Sequence, residues 1–219
     1  MKTQRINLVT RAFFVSVCGL LVLLSTAVVA AQSEDAAPLK LIEQTTHQMI
    51  AALKRDKAII ENKPAHIFEL VEKIVLPHFD FNRMSKLVLG KYWRKASEQQ
   101  RHNFTQEFRG LLVRTYATAM DEYSDQDIIY LPFRAAPGAT DVVVKVEVEQ
   151  QGGFPVPLDY KLYLLDGQWK VYEVLIDGVS LIVNYRTSFA QKIRRNGGLD
   201  VLIKTLKKRN QQALDDLSV

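Results

Sequence analysis

Alternating apolar and polar side chains in residues 141–176 constrain the fold more than any other feature of the chain. Four valines at every second position face one side of a predicted strand: Val142, Val144, Val146 and Val148. A second run follows from Leu158 to Leu164, and Asp166-Gly167, a strong hairpin signal, joins it to a third run from Trp169 to Ile176. Because side chains alternate across a strand, we expect an antiparallel meander of three long strands with one apolar face.

Before and after this meander, apolar residues recur at helical spacing. Pro38 is expected to open the first helix, and Ser97 with Gln100 forms a capping box that starts the longest one. Asp127 to Phe133 is predicted to be a short strand. The sheet is predicted to end at Asp177-Gly178, and two more helices follow it. Since an apolar sheet face needs helices to cover it, the pattern predicts an α+β fold with N-terminal and C-terminal helices on the sheet.

The beginning of the chain has the three parts of a secretory signal. Three basic residues and no acidic residue occupy its start, and a largely apolar stretch from Ala12 to Ala31 ends in small side chains. We expect a signal peptide over residues 1–30, cleaved after Ala30 or Ala31, and a single exported domain over residues 31–219 in the periplasm. An uncleaved membrane anchor is the alternative, because about 18 or more apolar residues can span a bilayer.

Cleavage of this segment would remove the single cysteine of the sequence and lower the net charge of the chain. The single cysteine, Cys18, lies inside it, so the exported chain would contain no thiol, disulfide or cysteine-based metal site. Cleavage also removes three of the 29 basic residues, which leaves 26 against 24 acidic ones. The sequence pI near 9.2 therefore does not indicate nucleic-acid binding.

A search for catalytic and metal-binding motifs gives no candidate. The sequence lacks a complete G-x-S-x-G nucleophile elbow, a glycine-rich phosphate loop and an H-E-x-x-H pair. The histidines are too far apart in sequence to form an i, i+3 or i+4 pair: His47, His66, His78 and His102. We therefore interpret them as surface residues and predict no catalytic residue, no metal and no cofactor.

Two groups of residues leave alternatives open. The longest helix carries an aromatic stripe of Phe104, Phe108, Tyr116 and Tyr123. This stripe is either core or the lining of an apolar ligand site. A group of cations is expected to end the last helix: Lys204, Lys207, Lys208 and Arg209. These cations either stabilise the helix dipole or form a docking surface for an acidic partner or anionic head groups.

Several short stretches between about residue 40 and residue 208 share one order with a known family. They are Phe79-Asp80-Phe81, Met84-Ser85, Leu87-Val88-Leu89-Gly90, Trp93-Arg94, Leu112-Val113-Arg114-Thr115-Tyr116, Asp166-Gly167-Gln168-Trp169-Lys170-Val171-Tyr172, Asp177-Gly178-Val179-Ser180-Leu181, Asn184-Tyr185-Arg186 and Gly197-Gly198-Leu199-Asp200. Together they resemble the MlaC, or toluene-tolerance, family of periplasmic phospholipid-binding proteins.

The resemblance implies a carrier rather than an enzyme. Such a protein would shuttle phospholipid between an outer-membrane lipoprotein complex and an inner-membrane ABC-type Mla complex, and so maintain outer-membrane lipid asymmetry. The implied fold is an NTF2-like curved sheet whose helices enclose an apolar cavity, and the implied protein is a monomer with bound diacyl phospholipid as cargo. We expect lipid contacts from the apolar faces of the longest helix and the sheet: Phe104, Phe108, Leu112, Tyr116, Val144, Val146, Tyr160, Leu162, Val171 and Val179.

Two other functions remain open from the sequence. An enzyme on an NTF2-like scaffold would use a carboxylate inside the sheet, and Asp159 and Glu173 are the candidates. Burial of either carboxylate, with a raised pKa, would favour catalysis. A non-lipid interaction module would instead have a solid core. In such a core, tryptophan at Val146 or Leu162 should cost about 1–3 kcal/mol, whereas a cavity would accept it.

Overall fold

The computed structural model describes residues 36–122, 126–150, 152–195 and 197–216, so the predicted export signal lies outside the described residues. Its helices are α1 (Ala37–Arg55), α2 (Lys57–Asn62), α3 (His66–Ile74), α4 (Phe81–Leu89), α5 (Lys91–Lys95), α6 (Glu98–Glu122), α7 (Leu181–Arg195) and α8 (Leu199–Asp216), with a 3-10 turn at Leu76–His78. Its strands are β1 (Ile128–Tyr130), β2 (Asp141–Val148), β3 (Val156–Leu165), β4 (Gln168–Ile176) and β5 (Val179–Ser180). None of these helices is long and apolar enough to cross a membrane.

The strands form one antiparallel sheet in the order β1-β2-β3-β4-β5, in which each strand pairs with its sequence neighbour. Asp166 and Gly167 form the β3–β4 turn, and both have positive φ, 48° and 77°, as a tight hairpin turn requires. The β3–β4 register shifts between Lys161 and Leu162, a bulge that bends a strand. The predicted α+β fold with a curved sheet is confirmed. The sheet continues past the predicted end at Asp177-Gly178, because this turn leads into β5.

Helices cover the apolar face of the sheet in two layers. The first layer contacts the sheet directly, through α1 on β2 and β4, and through α4 and α7 on β4. In this layer α3 packs between α1 and α6, and α6 also contacts α4. The second layer is α8, which packs on α6 and α7. The predicted capping box forms at the start of α6, where the Ser97 backbone N–H donates to Gln100 Oε1 at 3.0 Å and the Gln100 N–H donates to Ser97 Oγ at 3.2 Å.

A buried carboxylate joins α7 to the sheet. Glu173 on β4 is only 6% exposed. Its Oε1 accepts hydrogen bonds from the backbone N–H groups of Val174 and Ile182, both at 3.1 Å, and its Oε2 accepts from Ser180 Oγ at 2.6 Å. The Val183 N–H donates in turn to Ser180 Oγ at 3.0 Å. Because these donors include the free N–H groups at the start of α7, Glu173 is a helix cap, which accounts for its burial without catalysis.

The last helix is longer than the sequence predicted. It continues to Asp216, and its last turn contains no basic residue. Asn210 fixes the extension, since its Nδ2 donates to the Glu107 backbone carbonyl at 2.9 Å. A Cβ atom at Gly110 would lie only 2.8 Å from the same Nδ2, so glycine allows this close approach of α6 and α8. The cations Lys204 to Arg209 therefore lie within the helix, and their interpretation as partners of its dipole is wrong.

Candidate functional site

An apolar cavity of about 460 Å³ lies between the sheet and the first layer of helices. This volume falls within the range of about 300–1,000 Å³ that is usual for small-molecule sites. Its wall is formed by Ile42, Thr45, Thr46, Met49, Ile50, Leu53, Val71, Val75, Leu76, His78, Phe79, Phe81, Met84, Leu112, Val113, Tyr116, Ala117, Ile128, Val148, Val156, Leu158, Tyr160, Val171, Val174, Ile176 and Leu181. The first layer of helices and the four strands β1 to β4 thus all contribute to one apolar site.

The polar groups of the wall are few and uncharged. Among the described residues no Asp, Glu, Lys or Arg side chain lines the cavity. Burial, and secondarily the charge of Lys170, lowers the pKa of His78, which favours its neutral form. Burial, and then the neighbouring Tyr185, raises the pKa of Tyr116. Burial likewise raises the pKa of Tyr160 to about 12. The cavity is therefore suited to an apolar occupant and carries no charge near neutral pH.

The wall segment between the 3-10 turn and α4 is fastened to β4 by its backbone. The Asp80 N–H donates to the Val171 carbonyl at 2.9 Å. Asp80 Oδ1 accepts from the Arg83 N–H at 2.8 Å and caps α4, while the Tyr163 hydroxyl donates to Asp80 Oδ2. Since Phe79 and Phe81 flank Asp80, these bonds fix two aromatic rings of the cavity wall.

An arginine of α4 strengthens this attachment. The Arg83 guanidinium lies 3.8 Å from the ring centre of Tyr163 and 4.0 Å from that of Tyr172. Its Nη2 is 3.5 Å from Asp141 Oδ2, which also accepts a hydrogen bond from the Tyr172 hydroxyl. Arg83 therefore links α4 to three strands, because these partners belong to β2, β3 and β4.

We expect Arg83→Ala to lower the free energy of unfolding by about 1–2 kcal/mol. Each cation–π contact contributes about 0.5–1 kcal/mol at a partly exposed site, and the ion pair adds at most about 1 kcal/mol. Urea unfolding of both variants measures the change, with Arg194→Ala, an exposed position near the end of α7, as the control. Equal midpoints for Arg83→Ala and Arg194→Ala would contradict the role of Arg83.

Four of the ten residues expected to contact lipid lie in the cavity wall: Leu112, Tyr116, Tyr160 and Val171. Two others, Phe104 and Phe108, are fully buried in the helical core. Their rings stack on each other at 5.7 Å, and both meet Phe189 of α7 edge to face. The aromatic stripe is thus divided, because the N-terminal half of α6 packs on α7 and only its later turns reach the cavity.

The remaining four expected residues also lie outside the wall. Val144, Val146 and Leu162 are buried in a cluster of sheet residues against which Leu39, Phe133, Ala135 and Ala139 pack. Side chains of α1 and of the segment before β2 pack on this cluster and leave no space for a ligand above these three residues. Val179 is 56% exposed, because it lies on the short edge strand β5.

The N-terminal helices also contribute to the cavity wall, which was not predicted from the sequence. Ile42, Met49 and Leu53 of α1 line the cavity opposite the sheet, and Val71 of α3 joins them. The apolar periodicity of α1 indicates an inward face, but nothing local in the sequence shows that this face borders a cavity. Within the four described ranges, no group of three or more His, Cys, Asp or Glu side chains could hold a metal ion.

Comparison with known proteins identifies the family and the relatives of this chain. Residues 43–208 match the family model described as MlaC protein. The chain is 32% identical over 183 residues to the toluene tolerance protein ttg2D of Pseudomonas putida, covering 82% of this chain and 83% of that protein. It is 24% identical over 183 residues to the intermembrane phospholipid transport system binding protein MlaC of Haemophilus influenzae, covering 82% and 85%.

A solved structure is also similar to this chain. The chain superposes on the phospholipid-binding protein from Ralstonia solanacearum, determined in complex with a phospholipid, with a TM-score of 0.73 and 34% sequence identity. The match covers 82% of this chain and 98% of that protein. The solved structure therefore has the same fold over most of this chain.

Proposed function

Because the chain belongs to the MlaC family, we propose that it is a periplasmic phospholipid carrier. The signal peptide over residues 1–30 directs its export, and a diacyl phospholipid is its cargo. The observation that carries this proposal is the uncharged apolar cavity between the sheet and the helices. In this role Leu112, Tyr116, Tyr160 and Val171 contact the acyl chains, together with Leu158 and other wall residues.

The energetics of lipid transfer support a carrier of this kind. Exposing two acyl chains to water costs about 0.8 kcal/mol for each CH₂ group, well over 20 kcal/mol in all. An apolar cavity replaces the bilayer interior with a similar environment, so transfer into it is nearly isoenergetic. The protein then needs no energy source of its own, and the membrane complexes can set the direction of transport. No chemical step on the lipid is required, which agrees with a cavity wall that holds no carboxylate or lysine among the described residues.

Exchange with membranes tests the proposed shuttle. Delipidated protein incubated with membrane fractions of the source cells should acquire phospholipid, and protein loaded with labelled phospholipid should return the label to such membranes. A variant with a blocked cavity is the matched control, since it should exchange little in either direction. Failure of the wild-type protein to exchange lipid in both directions would contradict the proposal.

A basic face formed by exposed cations of α4, α5, α7 and α8 suggests how the carrier docks. Residues 181–213 contain eight basic residues and one acidic residue, Asp200, while residues 81–97 contain five basic residues and no acidic one. The exposed cations of these segments are Lys86, Lys91, Arg94, Lys95, Arg186, Arg194, Arg195, Lys204, Lys207, Lys208 and Arg209. Within the described part of the chain, none of them forms a salt bridge with a carboxylate.

The chemistry of this basic face fits an acidic protein surface of a membrane complex. Val183 and Val201 are the only large apolar residues exposed on the described parts of α7 and α8. An interfacial membrane helix needs a broad apolar face, which α8 does not present to solvent. None of the described α8 residues lines the cavity, so a partner bound there would leave the lipid site open.

Reversing three charges of α8 should separate docking from lipid binding. We expect Lys204→Glu, Lys207→Glu and Lys208→Glu together to weaken binding to membrane fractions at least tenfold at low salt, with bound lipid unchanged. The difference should shrink as salt increases, because exposed charges are screened. The control has the same change in net charge at exposed positions of other helices: Lys40→Glu, Lys57→Glu and Lys73→Glu. Equal binding of the two triple variants at low salt would reject this docking surface.

A further inference from the structure

One hydroxyl group in the cavity wall has no hydrogen-bond partner among the described residues. Tyr160 lies on β3, an interior strand, between Val144 of β2 and Val174 of β4. Its side chain points to the inner face of the sheet and lines the cavity, so its accessible surface faces the cavity. Three buried hydroxyl groups of the described residues also lack a partner, those of Ser85, Thr105 and Tyr130, but none of these residues lines the cavity. Thr45 Oγ1 in the same wall donates to the Leu41 carbonyl at 2.7 Å.

An unpaired hydroxyl group in such a place needs an explanation. Buried polar groups in native proteins are nearly always hydrogen-bonded, because leaving one unpaired loses the hydration of that group. The cavity-wall neighbours Leu158 and Val174 are aliphatic, and the nearby Tyr130 hydroxyl forms no hydrogen bond with Tyr160. Burial raises the pKa of Tyr160 to about 12, so the phenol stays protonated and is available as a donor at neutral pH. A molecule that occupies the cavity can therefore supply the missing acceptor.

Of the acceptors in the proposed cargo, the ester carbonyls lie nearest to the acyl chains. An acyl chain is hydrocarbon except at its carboxyl end, where an ester carbonyl joins it to glycerol. We propose that the Tyr160 hydroxyl donates a hydrogen bond to an ester carbonyl of the bound lipid, and that the site thereby prefers ester-linked to ether-linked glycerolipids. The inference rests on the proposed lipid binding and adds to it the chemical linkage that the site recognises.

A pair of lipids that differ only in this linkage tests the inference. Full-length exported protein is delipidated and titrated with dipalmitoyl phosphatidylglycerol and with its dihexadecyl ether analogue. Wild-type protein should bind the ester about fivefold more tightly, the effect of one hydrogen bond. Tyr160→Phe should lose this difference by weakening ester binding, with ether binding unchanged. Tyr92→Phe is the matched control, because Tyr92 of α5 packs on the helical core outside the cavity wall, and it should keep the wild-type preference.

A spectroscopic measurement distinguishes a direct contact from a change in fold. The ester carbonyl stretch of bound lipid should lie at a lower frequency in wild-type protein and in Tyr92→Phe than in Tyr160→Phe. An ester-to-ether ratio that is the same for wild-type protein and Tyr160→Phe overturns the inference, while lipid binding itself then stands. Absence of binding for both lipids to wild-type protein overturns the proposed function as well.

Discussion

Leu158→Trp is expected to remove most of the lipid that co-purifies with the protein, while the lipid-free protein stays as stable as the wild type or becomes more stable. Leu158 lines the cavity, and the larger ring has room in a space of about 460 Å³. There it occupies volume that acyl chains would take, and it gives contacts to side chains that otherwise border empty space.

The matched control lies on the same face of the same strand. Leu162 is fully buried in the packed sheet cluster, so Leu162→Trp must displace its neighbours and should cost about 1–3 kcal/mol. Its lipid content per folded molecule should stay close to that of the wild type. Thermal unfolding of delipidated proteins, with lipid measured in each preparation, checks both variants. If Leu158→Trp were destabilised as much as Leu162→Trp and kept its lipid, the cavity would not be the lipid site.

Glu173→Ala should lower the free energy of unfolding by about 3–5 kcal/mol. The substitution leaves the N–H groups of Val174 and Ile182 and the Ser180 hydroxyl without their buried acceptor, and each unpaired group costs about 1–3 kcal/mol. Glu173→Gln should cost less, because its amide oxygen still accepts from the backbone.

Urea unfolding measures these changes, with Glu149→Ala at an exposed position as the control. A catalytic Glu173 would be expected to contribute little to stability, whereas a helix cap contributes much of what holds α7 to β4. Identical unfolding of Glu173→Ala and Glu149→Ala would exclude the cap as a stabilising element.

The meander could be predicted from the sequence because the signals that define each strand and turn lie within a few neighbouring residues. The alternation of Val142, Val144 and Val146 defines a strand and its apolar face, and Asp166-Gly167 defines the turn between β3 and β4. Register follows from these signals, since a shift by one residue would turn the valines toward solvent. The capping box at Ser97 is local in the same sense and was predicted correctly.

The division of the inner face between packed core and cavity could not be predicted in this way. Val144 and Tyr160 are directly opposite each other on neighbouring strands, yet only Tyr160 lines the cavity. The difference arises from the position of α1 and of the segment with Phe133, which are contacts between residues distant in sequence. The role of Glu173 likewise depends on a tertiary contact, because the start of α7 must lie beside β4 after β5. The length of α8 depends on the close packing of Asn210 against Gly110 of α6.

Mass spectrometry of lipid extracted from the purified exported protein tests the central claim most directly. The protein is produced with its own N-terminal segment, purified without detergent and extracted with organic solvent, with Leu158→Trp treated in parallel. We expect the wild-type protein to yield diacyl phospholipid in an amount close to that of the protein, and Leu158→Trp to yield little. A wild-type protein that carries no phospholipid, or an equal amount of phospholipid in both preparations, would contradict the assignment of the cavity as a phospholipid site.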